Sequence, residues 1–162
     1  MLSVNDKVVY PGYGVARIIR VIERNVGGLP ICFFELDFLS KDMTVLVPVD
    51  KVISVGVRPL CTKSRIDDIL QMLSDSRIGI KRESKSSNWN KRSKDYQTKL
   101  CSGNLFEISK IYRDLKFISQ KKELSFGEKS LLQRTEGLLA EEISVVNELK
   151  EDKAIETLRS FF

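Results

Sequence analysis

Val15-Ala16-Arg17-Ile18-Ile19-Arg20-Val21-Ile22, then Asn25-Val26-Gly27-Gly28, then Ile31-Cys32-Phe33-Phe34-Glu35-Leu36-Asp37-Phe38: these three pieces decide the fold of the first third of the chain. The first is rich in β-branched residues, and Arg17 and Arg20 can reach solvent from it. The third alternates loosely and puts Phe34, Leu36 and Phe38 on one face. Between them, Gly27-Gly28 offers the positive-φ positions of a tight hairpin. Upstream, Lys7-Val8-Val9-Tyr10 is a short apolar run closed by the turn cluster Pro11-Gly12-Tyr13-Gly14. Downstream, Thr44-Val45-Leu46-Val47 ends at Pro48, and Val52 to Val57 reads as a last short strand. Five short strands with turn residues between them predict a compact curled sheet, or an SH3/Tudor-like barrel, over residues 1–60. Gly12-Tyr13-Gly14 lacks a third glycine and a following helix, so it is a turn and not a phosphate loop.

From Thr62 the hydrophobic period lengthens. Ile66, Ile69, Leu70 and Leu73 fall on one helical face, with Ser64 and Asp67 placed as a cap pair. Residues 74–87 are polar, basic and serine-rich and read as a loop. A helix capped by Ser87 or Asn88 starts near Trp89 and runs to Cys101. Asn104 with Glu107 opens a long amphipathic helix to about Lys121. Ser125-Phe126-Gly127-Glu128 fits a capping box and opens another, whose apolar residues run on to Leu149. A last short helix covers about Asp152 to Phe162. The fold class expected is α+β: a small β domain, residues 1–60, followed by a compact all-helical domain, residues 61–162.

The composition narrows the function. Of 162 residues, 27 are Lys or Arg, 22 are Asp or Glu, three are Cys and none is His. Without histidine there is no Ser-His-Asp or Cys-His pair, no His-ligated metal and no imidazole base. Neighbouring carboxylates such as Glu141 and Glu142 point in different directions on a helix, so an enzyme is not the expectation. No cofactor or metal is expected either. Cys32, Cys61 and Cys101 form no C-x-x-C pair and read as small buried hydrophobes in a reduced chain. The N-terminus carries no apolar run after a basic start, and no apolar run reaches about 18 residues. A soluble cytoplasmic protein, not inserted in a membrane, is therefore expected.

The net charge of +5 is unevenly spread: +1 over residues 1–60, +7 over 61–124 and −3 over 125–162. Between Arg77 and Lys99 eight basic residues stand against Glu83 and Asp95, beside the single Trp. Such a stretch suits a polyanion, nucleic acid first; as a solvated linker it would bind nothing.

Several segments together resemble the CarD/CdnL family of bacterial transcription regulators. They are Val8-Val9-Tyr10-Pro11-Gly12-Tyr13-Gly14-Val15, Val45-Leu46-Val47-Pro48 and Val55-Gly56-Val57-Arg58 in the first half. In the second they are Asn88-Trp89-Asn90-Lys91-Arg92, Lys99-Leu100-Cys101-Ser102-Gly103, Arg113-Asp114-Leu115 and Leu124-Ser125-Phe126-Gly127-Glu128-Lys129. Each is weak alone; their order and intervals across nearly the full chain are specific. The resemblance implies a Tudor-like RNA polymerase-interacting domain, residues 1–60, that pairs an edge strand with the polymerase β subunit. It also implies a helical domain, residues 61–162, that contacts promoter DNA at the upstream edge of the bubble. A non-catalytic protein that stabilises the open complex is what this implies, and a monomer is expected.

Residue by residue, Trp89 falls on the family's tryptophan, which wedges into the distorted minor groove beside the upstream fork. A flat ring there fills the gap left by partial unstacking; apart from the resemblance, the only Trp of a domain is usually packed in its core. Lys91, Arg92 and Lys94 fall on DNA-backbone positions, and Lys129 on another. On the polymerase side Arg24 matches a hairpin arginine, with Val26 beside it. Leu46 departs from the pattern: some relatives carry arginine there, so a charged hydrogen bond worth ~1.5–3 kcal/mol is absent. Strand pairing uses main chain and survives this change. A stand-alone sequence-specific repressor is the competing expectation, and Asn90, Arg92 and Gln97 are the thin set it would use for base readout.

Overall fold

The computed structural model describes residues 2–75 and 89–162; for residues 89–91 it describes the backbone only. The chain forms two compact units, Met1–Leu60 and Cys61–Phe162.

The first unit is an antiparallel five-stranded sheet: β1 (Lys7–Tyr10), β2 (Gly14–Val26), β3 (Leu29–Phe38), β4 (Thr44–Pro48) and β5 (Arg58–Pro59). The strands run in the order β4-β3-β2-β1-β5, so β4 and β5 are edges, and no β4–β5 pairing closes a barrel among the described residues. Val26 pairs with Leu29 across Gly27 (φ 59°) and Gly28 (φ 82°), the two-residue hairpin that the sequence predicts. The strands are not uniformly short. β2 has 13 residues and β3 has 10, and both run on beyond β1 and β4 into a two-stranded arm. A bulge between Ile18 and Arg20 changes which side chains face inward. Before it Ala16 and Ile18 are buried with Phe34, Leu36, Phe38 and Val47; after it Arg20 faces out.

One expected strand is a helix. Val52–Val55 is a single turn, α1, preceded by a 3-10 turn over Val49–Lys51. Ser54 Oγ donates to the Lys51 carbonyl at 2.9 Å, and Gly56 stops the turn at φ 97°. Four β-branched or small residues in a row cannot by themselves distinguish a strand from a turn of helix. The fifth strand follows at Arg58–Pro59, against β1, where Pro59 sits on an edge strand and its missing N–H costs nothing.

The second unit holds α2 (Lys63–Ser74), α3 (Trp89–Cys101), α4 (Leu105–Lys121), α5 (Phe126–Val146) and α6 (Glu151–Arg159). Their apolar stripes meet in one core that includes Ile66, Ile69, Leu100, Tyr112, Leu139 and Leu158. The cap of α2 is Thr62 and not Ser64: its Oγ1 accepts from Arg65 N at 3.2 Å. The caps of α4 and α5 match the sequence pattern. Asn104 Oδ1 accepts from Phe106 N at 3.0 Å and Glu107 N at 3.4 Å. Ser125 and Glu128 form the reciprocal capping box. α5 stops earlier than its apolar pattern, because Glu148 takes φ 54° and leaves Leu149 exposed. The loop expected over 74–87 and the Ser87/Asn88 cap lie outside the described residues, except that Ser74 ends α2 and Asp75 is its C-cap. Two of the cysteines are not core residues, since Cys32 and Cys101 are exposed, whereas Cys61 is half-buried and packs against the helical core; none forms a disulfide.

Candidate functional site

In the first unit the candidate surface is the free side of β4 with the outer face of the sheet. The register Phe33↔Pro48, Glu35↔Leu46 and Asp37↔Thr44 continues to Phe38 opposite Met43, where Phe38 N donates to Met43 O at 3.2 Å. Narrow and wide pairs alternate in an antiparallel ladder. Val45 and Val47 therefore bond toward β3, and the main-chain N–H and C=O groups of Thr44 and Leu46 face the open edge. Pro48, in phase with them, has no N–H to offer.

The side chains of paired residues share a face. Arg20, Glu35 and Leu46 thus form one row across β2, β3 and β4 on the outer face. Arg20 is held against Glu35 by an ion pair, with Nη2 also 3.4 Å from Oε1. Counting by two along β2, Ile22, Arg24 and Val26 continue on that face. The three residues expected at the polymerase side, Arg24, Val26 and Leu46, are on one face but not in one cluster. Arg24 lies four residues beyond the Leu46 row, about 14 Å at ~3.4 Å per residue. Arg24 and Val26 are exposed, and Leu46 is half-buried.

In the second unit α3 places Lys94 in solvent and packs Tyr96 and Leu100 into the core. Arg92 is half-buried and turned inward far enough to act on two groups of its own unit. Burial raises the Tyr96 hydroxyl pKa, with Asp114 adding to the rise and Arg92 opposing it. Burial also pushes Glu128 upward, but the hydrogen bonds from Ser125 and the charges of Lys122 and Arg92 bring its pKa below the usual carboxylate value. The Arg92 charge thus favours the ionised form of Glu128 at the start of α5. Gln97 Oε1 accepts from Arg134 Nη1 at 3.5 Å, so this member of the base-reading set is engaged within the unit. The side chains of Trp89, Asn90 and Lys91 lie outside the described residues, although all three belong to the first turn of α3.

Lys129 stands in the first turn of α5, where the capping box fixes the backbone. Its side chain is 58% exposed, and its ammonium is 3.5 Å from Glu123, itself 88% exposed. Such an ion pair is worth about 0–1 kcal/mol and exchanges readily for a phosphate. Next to it Phe126 is 89% exposed. Among the described residues, no group of three His, Cys, Asp or Glu side chains could hold a metal ion, and no helix is long and apolar enough to cross a membrane.

Sequence reasoning missed three features. Arg20–Glu35 needs the strand register, which no local pattern states. The inward turn of Arg92 needs the packing of α3 within the helical unit. Phe126 was legible only as part of a capping motif.

The chain joins an N-terminal antiparallel β unit to a helical unit. Residues 2–61 match the model of the CarD-like/TRCF RID domain, and residues 69–159 match that of the CarD C-terminal domain. The chain belongs to the CarD family. It is 26% identical over 152 residues to the candidate transcription factor YdeB of Bacillus subtilis (strain 168), covering 93% of this chain and 95% of that protein. It is also similar to the solution NMR structure of the 72-residue N-terminal domain of Myxococcus xanthus CarD. There the identity is 36%, over 36% of this chain and 79% of that one, with a TM-score of 0.32. Membership supports a role in transcription regulation in a family that is generally non-enzymatic, with RNA polymerase as the kind of partner.

Proposed function

We propose that the chain is a non-catalytic, cytoplasmic regulator of transcription initiation that acts as a monomer at the promoter. Its β unit pairs β4 with the β subunit of RNA polymerase. Its helical unit contacts promoter DNA at the upstream edge of the bubble and stabilises the open complex. The observation that carries this reading is the open side of β4, where Thr44 and Leu46 present main-chain donors and acceptors outward. An added strand would satisfy those groups, and Leu46, Arg24 and Val26 would meet it or its neighbours from the outer face. In the helical unit, Lys94 and Lys129 are exposed cations suited to phosphates. Trp89, Lys91 and Arg92 enter as the family's wedge and backbone-contact positions.

The mechanism is linkage. Contacts made only to the melted fork lower the free energy of that state by their differential amount. A few kcal/mol shifts open-complex populations ~10- to 100-fold, since ~1.4 kcal/mol is tenfold. Affinity capture from a bacterial lysate tests the partner. Recovery of RNA polymerase through its β subunit is expected, and a capture that leaves the polymerase behind sinks the reading.

A further inference from the structure

Phe126 is the most exposed large apolar side chain of the chain's described residues, at 89%. A single exposed apolar side chain is ordinary on a protein surface; the setting of this one is not. Phe126 lines two grooves of the helical unit. One groove carries Ser93 and Gln97 of α3 with Arg134 of α5. The other carries Lys116, Lys129 and Arg159. Among the described residues lining the two grooves there are four cations and one carboxylate, Glu136. That carboxylate is already held by Arg159 at 2.7 Å and Tyr112 at 2.8 Å. Arg159 is thereby paired, and Lys129 lies 3.5 Å from the exposed Glu123, so the bare ring stands where cations outnumber carboxylates, four to two.

We propose that Phe126 is a second ring contact to DNA, stacking on an unpaired base while the flanking cations hold the adjacent phosphates. A ring flanked by cations is the arrangement by which proteins hold single-stranded nucleic acid without reading its sequence. A fully paired duplex offers no free base face, so the ring discriminates melted from closed DNA, and Lys129 alone does not. The inference rests on the proposed contact of the helical unit with promoter DNA and extends it to a residue on a different helix from Trp89.

The test titrates the full chain against two labelled DNA probes of equal length and phosphate count. One is fully paired; the other has an unpaired segment beside duplex. Because Phe126 packs on little, Phe126→Ala keeps the melting temperature of the wild type. Its affinity for the forked probe falls roughly 5- to 150-fold, the range of one base–aromatic stack. Its affinity for the paired probe stays within about twofold, and Phe126→Trp restores forked-probe binding. Forked-probe binding that survives Phe126→Ala, or an equal loss on both probes, overturns the inference and leaves the proposed function standing. A wild-type chain that binds neither probe overturns the DNA contact and this inference together. If Phe126→Ala weakens polymerase binding instead, the patch is a protein contact and the inference is wrong.

Discussion

Replacing Leu46 by proline separates strand pairing from fold stability. Leu46 is opposite Glu35 in a wide pair, so its N–H points away from β3 and Leu46→Pro removes no bond of the sheet. Pro48 occupies the same phase two residues on, which shows that β4 tolerates proline on this side. The variant therefore stays folded. At the proposed interface, however, it deletes one donor and leaves the partner's carbonyl buried and unmet. That costs about 1–3 kcal/mol, which is ~5- to 150-fold in Kd. Val45→Pro is the counterpart. Val45 bonds toward β3, so the same substitution one residue earlier breaks the sheet itself and lowers the melting temperature of the β unit. Leu46→Ala loses only side-chain contact and gives a smaller drop in affinity. The assay is titration of purified RNA polymerase with each variant, with circular dichroism and thermal melts alongside. A folded Leu46→Pro variant that binds polymerase within twofold of wild type would refute pairing through this edge.

The polar network of the helical unit and two glycines of the β unit give further expectations. Tyr112 is fully buried and donates to Glu136 at 2.8 Å, so Tyr112→Phe costs about 1.5–3 kcal/mol in chemical denaturation. Burial raises the Glu136 pKa, but the hydrogen bonds from Arg159 and Tyr112 outweigh it and leave the pKa below its ordinary value. Its contribution is thus complete above the unfolded Glu pKa of ~4.3 and fades as pH falls through the lower folded value. Glu136→Gln flattens that acid limb of the stability–pH curve; an unchanged limb contradicts the assignment. A Cβ on Gly56 would lie 2.9 Å from Pro11 Cγ at φ 97°, whereas one on Gly28, at φ 82°, meets nothing within 4 Å. Gly28→Ala therefore costs only the left-handed backbone penalty of about 1–2 kcal/mol, and Gly56→Ala costs more, as thermal melts of the two variants would show.

Much of the fold was legible because local chemistry and tertiary structure agreed. Gly27-Gly28 specify a hairpin turn whatever surrounds them, and Ser125 with Glu128 satisfies the first N–H groups of a helix from within the motif. The failures lie where the outcome is set at a distance. Ser64 has an acidic residue three positions on and Thr62 has not, yet the chain leaves β5 in a course that makes Thr62 the cap. Val52 to Val55 carries strand-forming residues, but the buried Val52 and the stop at Gly56 make it a turn of helix. Gly56 is itself the usual mark of a helix end and was the one local sign of it.

The site divides in the same way. Arg24, Val26 and Leu46 share a face, which follows from strand alternation once the bulge at Ile19 is known, and the sequence does not announce that bulge. Basic residues on α3 are visible as charges; that Arg92 acts on Glu128 and Tyr96 depends on how α3 packs. Exposed thiols at Cys32 and Cys101 reversed the buried reading, because position in a two-stranded arm or at a helix end outweighs the intrinsic preference of cysteine for the core.

The most direct test of the account is the lifetime of open complexes on a promoter where melting is limiting, measured after a competitor challenge with and without the protein. The account predicts a lifetime lengthened ~10- to 100-fold by the wild-type chain, with most of that gain lost in a Trp89→Ala variant that still binds polymerase. A lifetime that the wild-type chain leaves unchanged, while it occupies the polymerase, contradicts it.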